Sequence, residues 1–566
     1  MAYVITQPCC NDASCVAVCP VNCIHPTPDE PGYASAEMLY IDPDSCIDCG
    51  SCVAACPVDA VVADYEVTEK TERYLEINAR YYADPANQGT SRFGQSTNTL
   101  LEVPPRPGPL RVAIVGSGPS AFYAAEALLL RKDVDAEVHM FERLPVPWGL
   151  ARFGIAPDHQ GTKAVTQLFA RTATRRGLDI HLNVEVGKHI THEELLTHHH
   201  AVIYAVGALS DRKLGVPGED LPGSHSATDF VAWYNGHPDF ADRTFDLDVK
   251  RAVIVGNGNV ALDVARILVS NVDDLARTDI ADHALEALAA SKIEEVVVLG
   301  RRGPAQAAFT TPELLGLIDA SGFDVLVEAE EVEPDPRTDA VLRANPHAMT
   351  GLKVDVVREL ATRPSTGADR RVVLRFSTSP VEILGDERVH GIRLARNEVV
   401  AADDGTLVAR ATGTAESIDC GLVLRSIGFR GEPLPGIPFD EARGTLPNDR
   451  GRVMQPSGEP LVGVYTSGWI KRGPSGVVGT NKKCAEETVQ ALLEDYVQGR
   501  LAAPAGGADD LRALISGRQP EAIDYAGWEA IDRHERASAK ALGRPRIKLV
   551  TIDEMLRVVN RAKTDG

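Results

Sequence analysis

The cysteines of this chain are confined almost entirely to its N-terminal segment. Nine of the eleven lie between Cys9 and Cys56, and the other two are Cys420 and Cys484. Residues 1–4 lack the basic and apolar regions of a secretory signal, so we expect a cytoplasmic chain. Thiols in that compartment stay reduced, and clustered thiols there serve as metal ligands more often than as disulfides. The N-terminal segment is therefore predicted to bind metal.

The spacing of these thiols indicates which metal they bind. The run from Cys46 to Pro57 reads C-x2-C-x2-C-x3-C-P, which is typical of bacterial iron–sulfur proteins whose fourth cysteine binds the other cluster. Residues 15–22 (CVAVCPVN) repeat residues 52–59 (CVAACPVD). A zinc site needs only four ligands, so this pattern with its partial second copy favours iron–sulfur clusters.

Aligning the two copies assigns the ligands, because Cys9 falls opposite Cys46 and Asp12 falls opposite Cys49. The ligands of one predicted [4Fe–4S] cluster, the Cys46 set, are Cys19, Cys46, Cys49 and Cys52. The other group, the Cys9 set, consists of Cys9, Cys15 and Cys56. Because the Cys9 set is one thiol short, it predicts a [3Fe–4S] cluster, or a second [4Fe–4S] cluster if Asp12 or Cys10 supplies a fourth ligand. Cys23 has no ligand counterpart and is predicted to be a buried, inert thiol.

The charge of the chain excludes two classes of partner. Lys and Arg number 58 and Asp and Glu number 80, so the formal net charge is 58 − 80 = −22. Residues 1–84 contribute half of it, with three basic and 14 acidic residues, or 3 − 14 = −11. Nucleic acids and anionic membranes are bound through Lys and Arg, and no apolar stretch reaches the roughly 18 residues of a membrane span. We therefore expect neither as a partner.

The length of 566 residues predicts three or four domains at about 150 residues each. Residues 1–84, the N-terminal unit, precede a predicted linker at 85–109 that is rich in Asn, Gly, Ser and Pro. Strand-like runs then alternate with helical patterns, which favours parallel sheets; they lie at 110–115, 137–141, 201–206, 251–255 and 295–299. We expect an α/β fold with two Rossmann-like dinucleotide-binding domains after a small α+β domain. The first Rossmann unit comprises 110–211 and 432–566, and the second comprises 212–431.

The first Rossmann unit opens with a dinucleotide fingerprint. Residues 116–121 read G-x-G-x-x-A directly after a strand. Gly116 permits the tight turn, and Gly118 lets a pyrophosphate approach the N-terminus of the helix. The next strand ends in Glu142, whose carboxylate accepts hydrogen bonds from ribose hydroxyls and repels a 2′-phosphate. This pattern predicts a dinucleotide site that selects against a 2′-phosphate.

A second fingerprint, at 256–261, has the opposite charge preference. Its pyrophosphate turn contains Gly258, and it ends in Ala261. The following strand ends in Arg301 and Arg302, whose guanidinium groups suit a 2′-phosphate. Two fingerprints in tandem predict FAD in the first Rossmann unit and NADP(H) in the second.

Two other patterns narrow the functional class. No C-x-x-C occurs after Cys56, which disfavours a reductase that passes electrons from flavin to a nearby dithiol. The run at 197–200 (THHH) lacks the spacing of a zinc site. We therefore expect this run to be a solvated helix end.

Several motifs together resemble the adrenodoxin-reductase-type ferredoxin–NADP reductases from residue 110 onward. They lie at 116–121, 147–150 (PWGL), 156–159 (APDH), 258–263 (GNVALD), 301–304 (RRGP) and 468–474 (GWIKRGP). Over about its first 60 residues the chain resembles seven-iron bacterial ferredoxins, on its Cys-Pro repeats and the segment 38–43 (MLYIDP). The whole chain is similar to the mycobacterial-type fusion of such a ferredoxin to such a reductase.

The resemblance implies specific binding residues. For FAD they are Ser120, Glu142, Leu150, Val186, Trp469, Gly476, Val477 and Val478. For NADP(H) they are Arg212, Gly258, Asn259, Val260, Arg301, Arg302, Glu313 and Gly476. His159 matches a family histidine near the flavin, so it is either a proton relay or an ordinary loop histidine; His159 and Glu313 are the candidate catalytic residues. The family continues Glu-Leu-Arg-Glu where this chain has Glu313 followed by LLG, so the second acid of that motif is absent here.

The resemblance implies a ferredoxin–NADP(+) reductase of the EC 1.18.1.2 type, which passes electrons from NADPH through FAD to iron–sulfur clusters and on to a ferredoxin or a cytochrome P450-type acceptor. Two alternatives keep the same cofactors: an electron-input subunit of a larger synthase, and a non-enzymatic redox sensor. The acidic N-terminal unit is expected to dock on basic residues of the reductase, with the linker as tether. The residues considered for that contact are Arg171, Arg175, Arg176, Lys471 and Arg472.

Overall fold

The computed structural model describes residues 2–87, 101–104, 108–403 and 406–565. In the N-terminal unit the sequence repeat folds twice into the same motif. Helices α1 and α2 each begin after a residue in the left-handed conformation, Ala13 or Gly50, and each ends at a ligand-type cysteine, Cys19 or Cys56. The elements are β1 Tyr3–Ile5, α1 Ser14–Val18, β2 Ile24–His25, β3 Tyr40–Ile41, α2 Ser51–Ala55, β4 Val61–Ala63 and α3 Arg73–Ala83.

Two antiparallel strand pairs close the N-terminal unit. Strand β1 pairs with β4, and β2 pairs with β3. Helix α3 holds the two pairs together through Asn78, whose side-chain oxygen accepts from the backbone N–H groups of Ile5 and Ile41. Asn78 is itself buried. A single buried amide thus stabilises the packing of both strand pairs.

The first half of the first Rossmann unit alternates strands and helices. Its elements are β5 Leu110–Val115, α4 Pro119–Leu129, β6 Ala136–Glu142, α5 Leu150–Phe153, α6 Gln160–Lys163, α7 Thr166–Ala173, β7 Leu178–Leu182, α8 His192–His198, β8 Ala201–Tyr204 and β9 Ser210–Asp211. Strands β5, β6, β7 and β8 are parallel. The buried apolar runs therefore form the parallel sheet that the strand-helix alternation predicts.

The second Rossmann unit contains a six-stranded parallel sheet and a three-stranded antiparallel sheet. Its elements are β10 Ser224–Ser226, α9 Ala227–Tyr234, β11 Arg251–Val255, α10 Asn259–Val269, α11 Val272–Leu275, α12 Asp282–Ala289, β12 Glu295–Leu299, α13 Thr311–Ile318, β13 Asp324–Val327, α14 Pro336–Ala344, α15 Met349–Thr362, β14 Arg371–Arg375, β15 Thr378–Leu384, β16 Gly391–Ala401, β17 Leu407–Asp419 and β18 Leu422–Arg425. The parallel sheet has the order β10-β18-β11-β12-β14-β13, and β15, β16 and β17 form the antiparallel sheet.

The chain then returns to the first Rossmann unit. The remaining elements are β19 Phe429–Arg430, β20 Asn448–Asp449, β21 Arg452–Met454, β22 Pro460–Thr466, α16 Trp469–Arg472, α17 Thr480–Val497, α18 Ala508–Arg518, α19 Tyr525–Ala539 and α20 Ile552–Asp565. Strands β9 and β19 pair where the chain crosses between the two units. Strand β22 lies parallel to β8, which completes the seven-stranded order β20-β21-β22-β8-β5-β6-β7. This pairing brings the segment after β22 beside the first fingerprint.

The C-terminal segment joins the two Rossmann units. Arg152, in α5, forms two hydrogen bonds with Glu535 of α19. Past α19, Lys548 forms an ion pair with Asp279 of the second Rossmann unit at 3.0 Å. The same carboxylate also pairs with Lys163 of the first unit at 2.7 Å. These groups are buried, so the charges that hold the two units together are largely shielded from water.

The predicted linker lies partly outside the described residues, which omit 88–100 and 105–107. Residues Pro85–Asn87 form a short 3-10 helix. Further on, Val103 is buried, and its N–H donates to Asp133 at 3.1 Å. The described C-terminal end of this segment therefore packs against the first Rossmann unit.

The prediction of a solvated histidine run at 197–200 is wrong. His198 and His199 are buried. His199 Nδ1 donates to the Leu195 carbonyl at 2.7 Å, and its Nε2 lies 2.6 Å from Nδ1 of His139. The run is buried because α8 leads directly into β8, a central strand, and because Gly507, which precedes α18, contacts His198.

No helix among the described residues has both the length and the apolar character that a membrane span requires.

Candidate functional site

The thiols of the N-terminal unit lie close enough to raise one another's pKa values, both within the two predicted sets and, for Cys15 and Cys52, between them. Burial, with the nearby charges of Cys56 and Asp12, raises the pKa of the Cys9 thiol to about 11. Burial and the charges of Cys9 and Cys56 raise the pKa of the Cys15 thiol in the same way. In the Cys46 set, Cys52 interacts with Cys46 and Cys49, and Cys49 interacts with Cys19. Each set combines cysteines from both copies of the repeat, and this donor chemistry fits iron–sulfur clusters.

The remaining polar and thiol groups near these sets are buried. Asp12 lies near the Cys9 set, where its charge raises the pKa of Cys15 and Cys56, and its carboxylate accepts hydrogen bonds from the N–H and the hydroxyl of Ser14. Cys10 is buried beside the same set, and its carbonyl accepts from the N–H of Gly479 at 2.7 Å. Cys23 is also buried, and its sulfur lies 3.4 Å from the sulfur of Cys19. It is therefore a fifth thiol beside the Cys46 set.

The first fingerprint forms a crowded turn that only glycine permits. Gly116 has φ +102°, and a Cβ there would lie 2.5 Å from the Ala205 carbonyl oxygen at the end of β8. Helix α4 begins at Gly118 without a side-chain cap, which leaves its first N–H groups available to a phosphate. Glu142, at the end of β6, accepts from the backbone N–H and the hydroxyl of Ser117. The residues present fit a dinucleotide.

The second fingerprint repeats this geometry. Gly256 has φ +115°, and its Cβ would lie 2.1 Å from the carbonyl oxygen of Ser426, which follows β18. Helix α10 begins at Gly258, again without a side-chain cap. Arg301 and Arg302 follow β12, and within the described part of the chain neither has a carboxylate partner. Burial and the neighbouring Arg301 lower the pKa of Arg302, so two uncompensated cations are available to an anion.

The segment after β22 covers the first fingerprint. Ser467 Oγ lies 2.7 Å from Ser120 Oγ of α4. Trp469 packs on Phe429 and donates from Nε1 to the Ser475 carbonyl at 3.2 Å. The next turn, at 476–479, precedes α17 and includes Gly476, Val477 and Val478. Of the other predicted FAD residues, Leu150 begins α5, and Val186 bridges to Ile190 near β7.

At the junction of the two Rossmann units, charged side chains surround His159. Arg266, on α10, donates to His159 Nε2 at 2.9 Å and to Asp263 at 2.7 Å. This hydrogen bond assigns the proton of the neutral ring to Nδ1, which lies 3.9 Å from Asp263 Oδ1. Arg266 also binds both oxygens of Asp158. The ring of His159 is therefore held between the two units.

Glu313 completes this junction. Its Oε2 lies 3.8 Å from His159 Nε2 and is a buried oxygen without a hydrogen-bond partner among the described residues. Burial and the charge of Asp263 raise the pKa of this carboxyl, opposed by the charges of His159 and Arg266. An orphaned buried oxygen beside a histidine fits a site that takes a hydrogen-bonding ligand.

The N-terminal unit reaches the same junction. The side chain of Gln7 interacts with Glu313. It also fills the space beside Gly316, because a Cβ on Gly316 would lie 2.9 Å from Gln7 Oε1. Glu37 accepts from the N–H of Thr311 at the start of α13 and pairs with Lys353 at 2.9 Å. The position of the missing family acid is thus occupied by the N-terminal unit.

The basic residues expected to bind the N-terminal unit do not form its interface with the reductase. Lys471 is buried and pairs with Glu487, and Arg472 bonds to Asn481. Among the described residues, no ion pair joins either of these, or Arg171, Arg175 or Arg176, to the N-terminal unit. The ion pairs between the two parts instead have mixed polarity; they are Lys353–Glu37, Lys483–Asp29, Arg73–Glu359 and Arg80–Asp355.

Three residues of the junction were not predicted from the sequence. Asp263 ends the quoted motif at 258–263, and Arg266 follows it by three positions on α10, so both side chains lie on one face of that helix. This spacing was a usable signal. Gln7 carries no such signal, because its role comes from contact between units that are distant in sequence.

Arg212 lies where the chain crosses between the two Rossmann units. It directly follows β9, and its N–H donates to the Gly428 carbonyl at 3.3 Å. Asn259, Val260 and Ala261 lie in the first turn of α10. Asn259 Oδ1 accepts from the N–H of Thr310, which ties the second fingerprint to the start of α13.

Family profiles match both parts of the chain. The one described as "4Fe-4S binding domain" matches residues 39–62, and the one described as "Pyridine nucleotide-disulphide oxidoreductase" matches residues 110–298. The second range contains no cysteine, so it provides no dithiol for a flavin to reduce.

Individual proteins match over greater lengths. The probable ferredoxin/ferredoxin–NADP reductase of Mycobacterium tuberculosis (strain ATCC 25618 / H37Rv) is 50% identical over 572 residues, covering 99% of this chain and 96% of that protein. The mitochondrial NADPH:adrenodoxin oxidoreductase of Salvelinus fontinalis is 41% identical over 475 residues, covering 82% and 93%. The solved structure of Mycobacterium tuberculosis FprA in complex with NADPH matches with a TM-score of 0.76 and 47% identity, covering 80% of this chain and 100% of that one. With two thiol sets ahead of two dinucleotide folds, the chain belongs to the ferredoxin/ferredoxin–NADP reductase family, as an adrenodoxin-reductase-type enzyme with a fused iron–sulfur domain.

Proposed function

We propose that this enzyme moves electrons from NADPH through FAD to the Cys9 set, then to the Cys46 set, and out to a ferredoxin or a cytochrome P450-type acceptor. The observation that carries this order is the hydrogen bond from Gly479 N–H to the Cys10 carbonyl at 2.7 Å. Gly479 directly follows the FAD residues implied by the resemblance, 476–478. The Cys9 set therefore lies next to the flavin loop, while Cys49 of the other set is exposed.

The second Rossmann unit holds NADPH. In this proposal Arg301 and Arg302 bind the 2′-phosphate, and the uncapped N-terminus of α10, at Gly258, Asn259, Val260 and Ala261, receives the pyrophosphate. Arg212 and Gly476 border the same nucleotide. The absence of a carboxylate partner for either guanidinium among the described residues supports this role, because both are available for charge-assisted hydrogen bonds to an anionic ligand.

The first Rossmann unit holds FAD. Gly116 and Gly118 admit the pyrophosphate, and Glu142 accepts from the ribose. The other residues proposed to contact FAD are Ser120, Leu150, Val186, Trp469, Gly476, Val477 and Val478. When bound, FAD supplies two-electron exchange with the nicotinamide and one-electron exchange with iron–sulfur clusters.

At the junction, the residues of this chain orient the reacting groups. Arg266 fixes the His159 ring, and the Nδ1–H of that ring faces Asp263, so His159 is held in one orientation. Glu313 offers its free Oε2 to the ligand that enters beside His159. The pair is therefore proposed to position the nicotinamide and to exchange a proton at His159, in line with its placement between the two units.

The two thiol sets differ in the clusters they are proposed to hold. The Cys46 set has four thiols and suits a [4Fe–4S] cluster. The Cys9 set has three thiols and suits a [3Fe–4S] cluster, and Asp12, which aligns with Cys49 in the repeat, is a candidate fourth ligand. Replacing Asp12 with Cys should convert this cluster to [4Fe–4S], which electron paramagnetic resonance distinguishes.

Anaerobic stopped-flow absorbance tests the proposed order of transfer. The cluster-loaded protein is mixed with NADPH, and separately with NADH. We expect the flavin absorbance to bleach with NADPH and only weakly with NADH, and the cluster absorbance to fall afterwards. Flavin bleaching with clusters that stay oxidised would refute transfer to the Cys9 set. No bleaching at all would favour the redox sensor, and dependence on an added subunit would favour the synthase component.

A further inference from the structure

Part of the surface of the N-terminal unit consists of exposed apolar side chains. Val18, Ile47, Val53 and Tyr65 are exposed to 42%, 58%, 38% and 66%. The Cys9 set differs, because Asn11 and Asp12 beside it are buried. Exposed apolar side chains that lie together mark interaction sites more often than isolated ones do.

These four side chains border one thiol set. In sequence, Val18 precedes Cys19, Ile47 follows Cys46, and Val53 follows Cys52. Tyr65 comes from a different segment, after β4. The hydroxyl of Tyr3 connects Tyr65 with the segment around Cys52, because it would lie 3.1 Å from a Cβ on Gly50, and burial and the charges of Asp48, Tyr65 and Cys52 raise its pKa. Helix α1, which ends at Val18, contacts helix α2, which contains Val53. We call Val18, Ile47, Val53 and Tyr65 the outer patch.

The charge around the outer patch has one sign. Asp44 and Glu66 are exposed beside it, and residues 1–84 contain only three basic residues. Two of these three, Arg73 and Arg80, pair with Glu359 and Asp355 at the interface with the reductase, and the third, Lys70, lies near enough to Asp319 of the reductase for its charge to oppose the rise in pKa that burial causes there. The outward face of the unit therefore combines apolar contacts with uncompensated negative charge.

We propose that the outer patch is the docking site for a one-electron carrier protein with an apolar centre and a basic rim. The proposal rests on the proposed function, since the Cys46 set would be the exit point for electrons. An acidic rim attracts a basic partner and speeds its encounter, and it repels an acidic one. A second acidic ferredoxin is therefore disfavoured at this face, and a basic haem protein fits it.

Binding of ferric cytochrome c, a basic haem protein, tests the site without turnover. The dissociation constant for the fully oxidised enzyme is measured by calorimetry at 20 and 200 mM salt. The charge variant Asp44→Lys/Glu66→Lys should weaken binding roughly tenfold at low salt and much less at high salt, because salt screens exposed charges. Ile47→Ser should weaken it at both salt concentrations, since an apolar contact is not screened.

A matched control separates this site from the overall charge. Glu432→Lys/Glu459→Lys makes the same change in net charge at exposed positions of the first Rossmann unit. It should leave the dissociation constant within about twofold of the parent. Equal weakening by both double variants, or no binding by the parent at low salt, would overturn the proposal. Intact cluster absorbance in each variant shows that the unit is folded.

The proposed function is checked separately in the same samples. Stopped-flow bleaching of the flavin by NADPH reports reduction of the flavin, and the later bleaching of the clusters reports internal transfer. Loss of internal transfer with cytochrome c binding retained would refute the electron route and leave the docking site standing. Loss of site-specific binding with internal transfer retained would refute the docking site alone.

Discussion

Gly479→Ala is the most direct test of how the two halves of this enzyme communicate. Gly479 has φ −72° and ψ −24°, which alanine adopts readily. A Cβ there would lie 2.2 Å from the backbone carbon of Asn11 and 2.2 Å from the nitrogen of Asp12. The substitution therefore leaves the local conformation of the reductase intact and acts on the contact with the Cys9 set.

The size of the effect follows from this geometry. Ordinary contact begins near 3.4 Å, so the backbone at Asn11 and Asp12 must retreat by 3.4 − 2.2 = 1.2 Å. Relieving such an overlap costs about 1–3 kcal/mol, and losing the Gly479–Cys10 hydrogen bond costs about 1 kcal/mol more. A total of about 2–4 kcal/mol lowers the ratio of docked to undocked N-terminal unit by roughly 30- to 700-fold.

Anaerobic stopped-flow measurements with NADPH provide the assay. Flavin bleaching should proceed close to the parent rate, while cluster bleaching should slow at least about tenfold. Gly517→Ala on α18 is the matched control, because its Cβ would meet nothing within 4 Å. Cluster bleaching in Gly479→Ala within about twofold of the parent, with normal FAD content, would refute the role of this contact.

Three further predictions concern the reductase itself. Arg301→Ala/Arg302→Ala should lower kcat/KM for NADPH by roughly 10- to 100-fold and leave that for NADH nearly unchanged, because charge-assisted bonds to the 2′-phosphate are lost; an equal loss for both nucleotides contradicts that role. The pKa of Glu313 is raised, so this carboxyl protonates at a higher pH than an ordinary glutamate, and Glu313→Gln should remove an acid-side inflection from the pH profile of kcat/KM. If the inflection is unchanged in Glu313→Gln, it belongs to another group. Arg152→Ala should destabilise the protein by about 1.5–3 kcal/mol in urea unfolding at pH 7, since Glu535 keeps its ion pair with Arg546. Because the pKa of Glu535 is lowered in the folded state, this contribution is present above the usual glutamate pKa of about 4.3 and fades as pH falls through the lower folded value, so a loss that stays constant into acid argues against the pair.

The sequence predicts the local parts of this enzyme well, because they depend on short-range patterns. The Cys-Pro repeat predicts an iron–sulfur domain, and the matching 4Fe-4S family profile at residues 39–62 confirms that part, while the division of the thiols into two sets stays a prediction. The glycines at 116 and 256 are equally predictable, because the structure gives both a positive φ and a backbone oxygen where a Cβ would be. The sheet strands follow from their apolar runs.

Contacts between units are what the sequence does not reveal. The mixed ion pairs at Lys353 and Lys483 could not be distinguished in advance from other surface lysines, and the net charge of the N-terminal unit suggested the wrong basic partners. Nothing in the sequence around Gln7 indicates that the fold places it against Glu313. His199 is buried for a similar reason, because only the sheet order makes β8 a central strand.

The C-terminal segment beyond α19 makes the angle between the two Rossmann units a fixed dimension of the enzyme. Asp279 is shared by Lys163 from one unit and Lys548 from this segment, and separating the units would break these buried ion pairs. A shortened chain ending near residue 540 would keep both fingerprints and every thiol, yet it would lack the ion pairs of Arg544 and Lys548 with the second Rossmann unit. The residues beyond α19 thus fix the relative orientation of the two Rossmann units, although none of them is a predicted cofactor ligand.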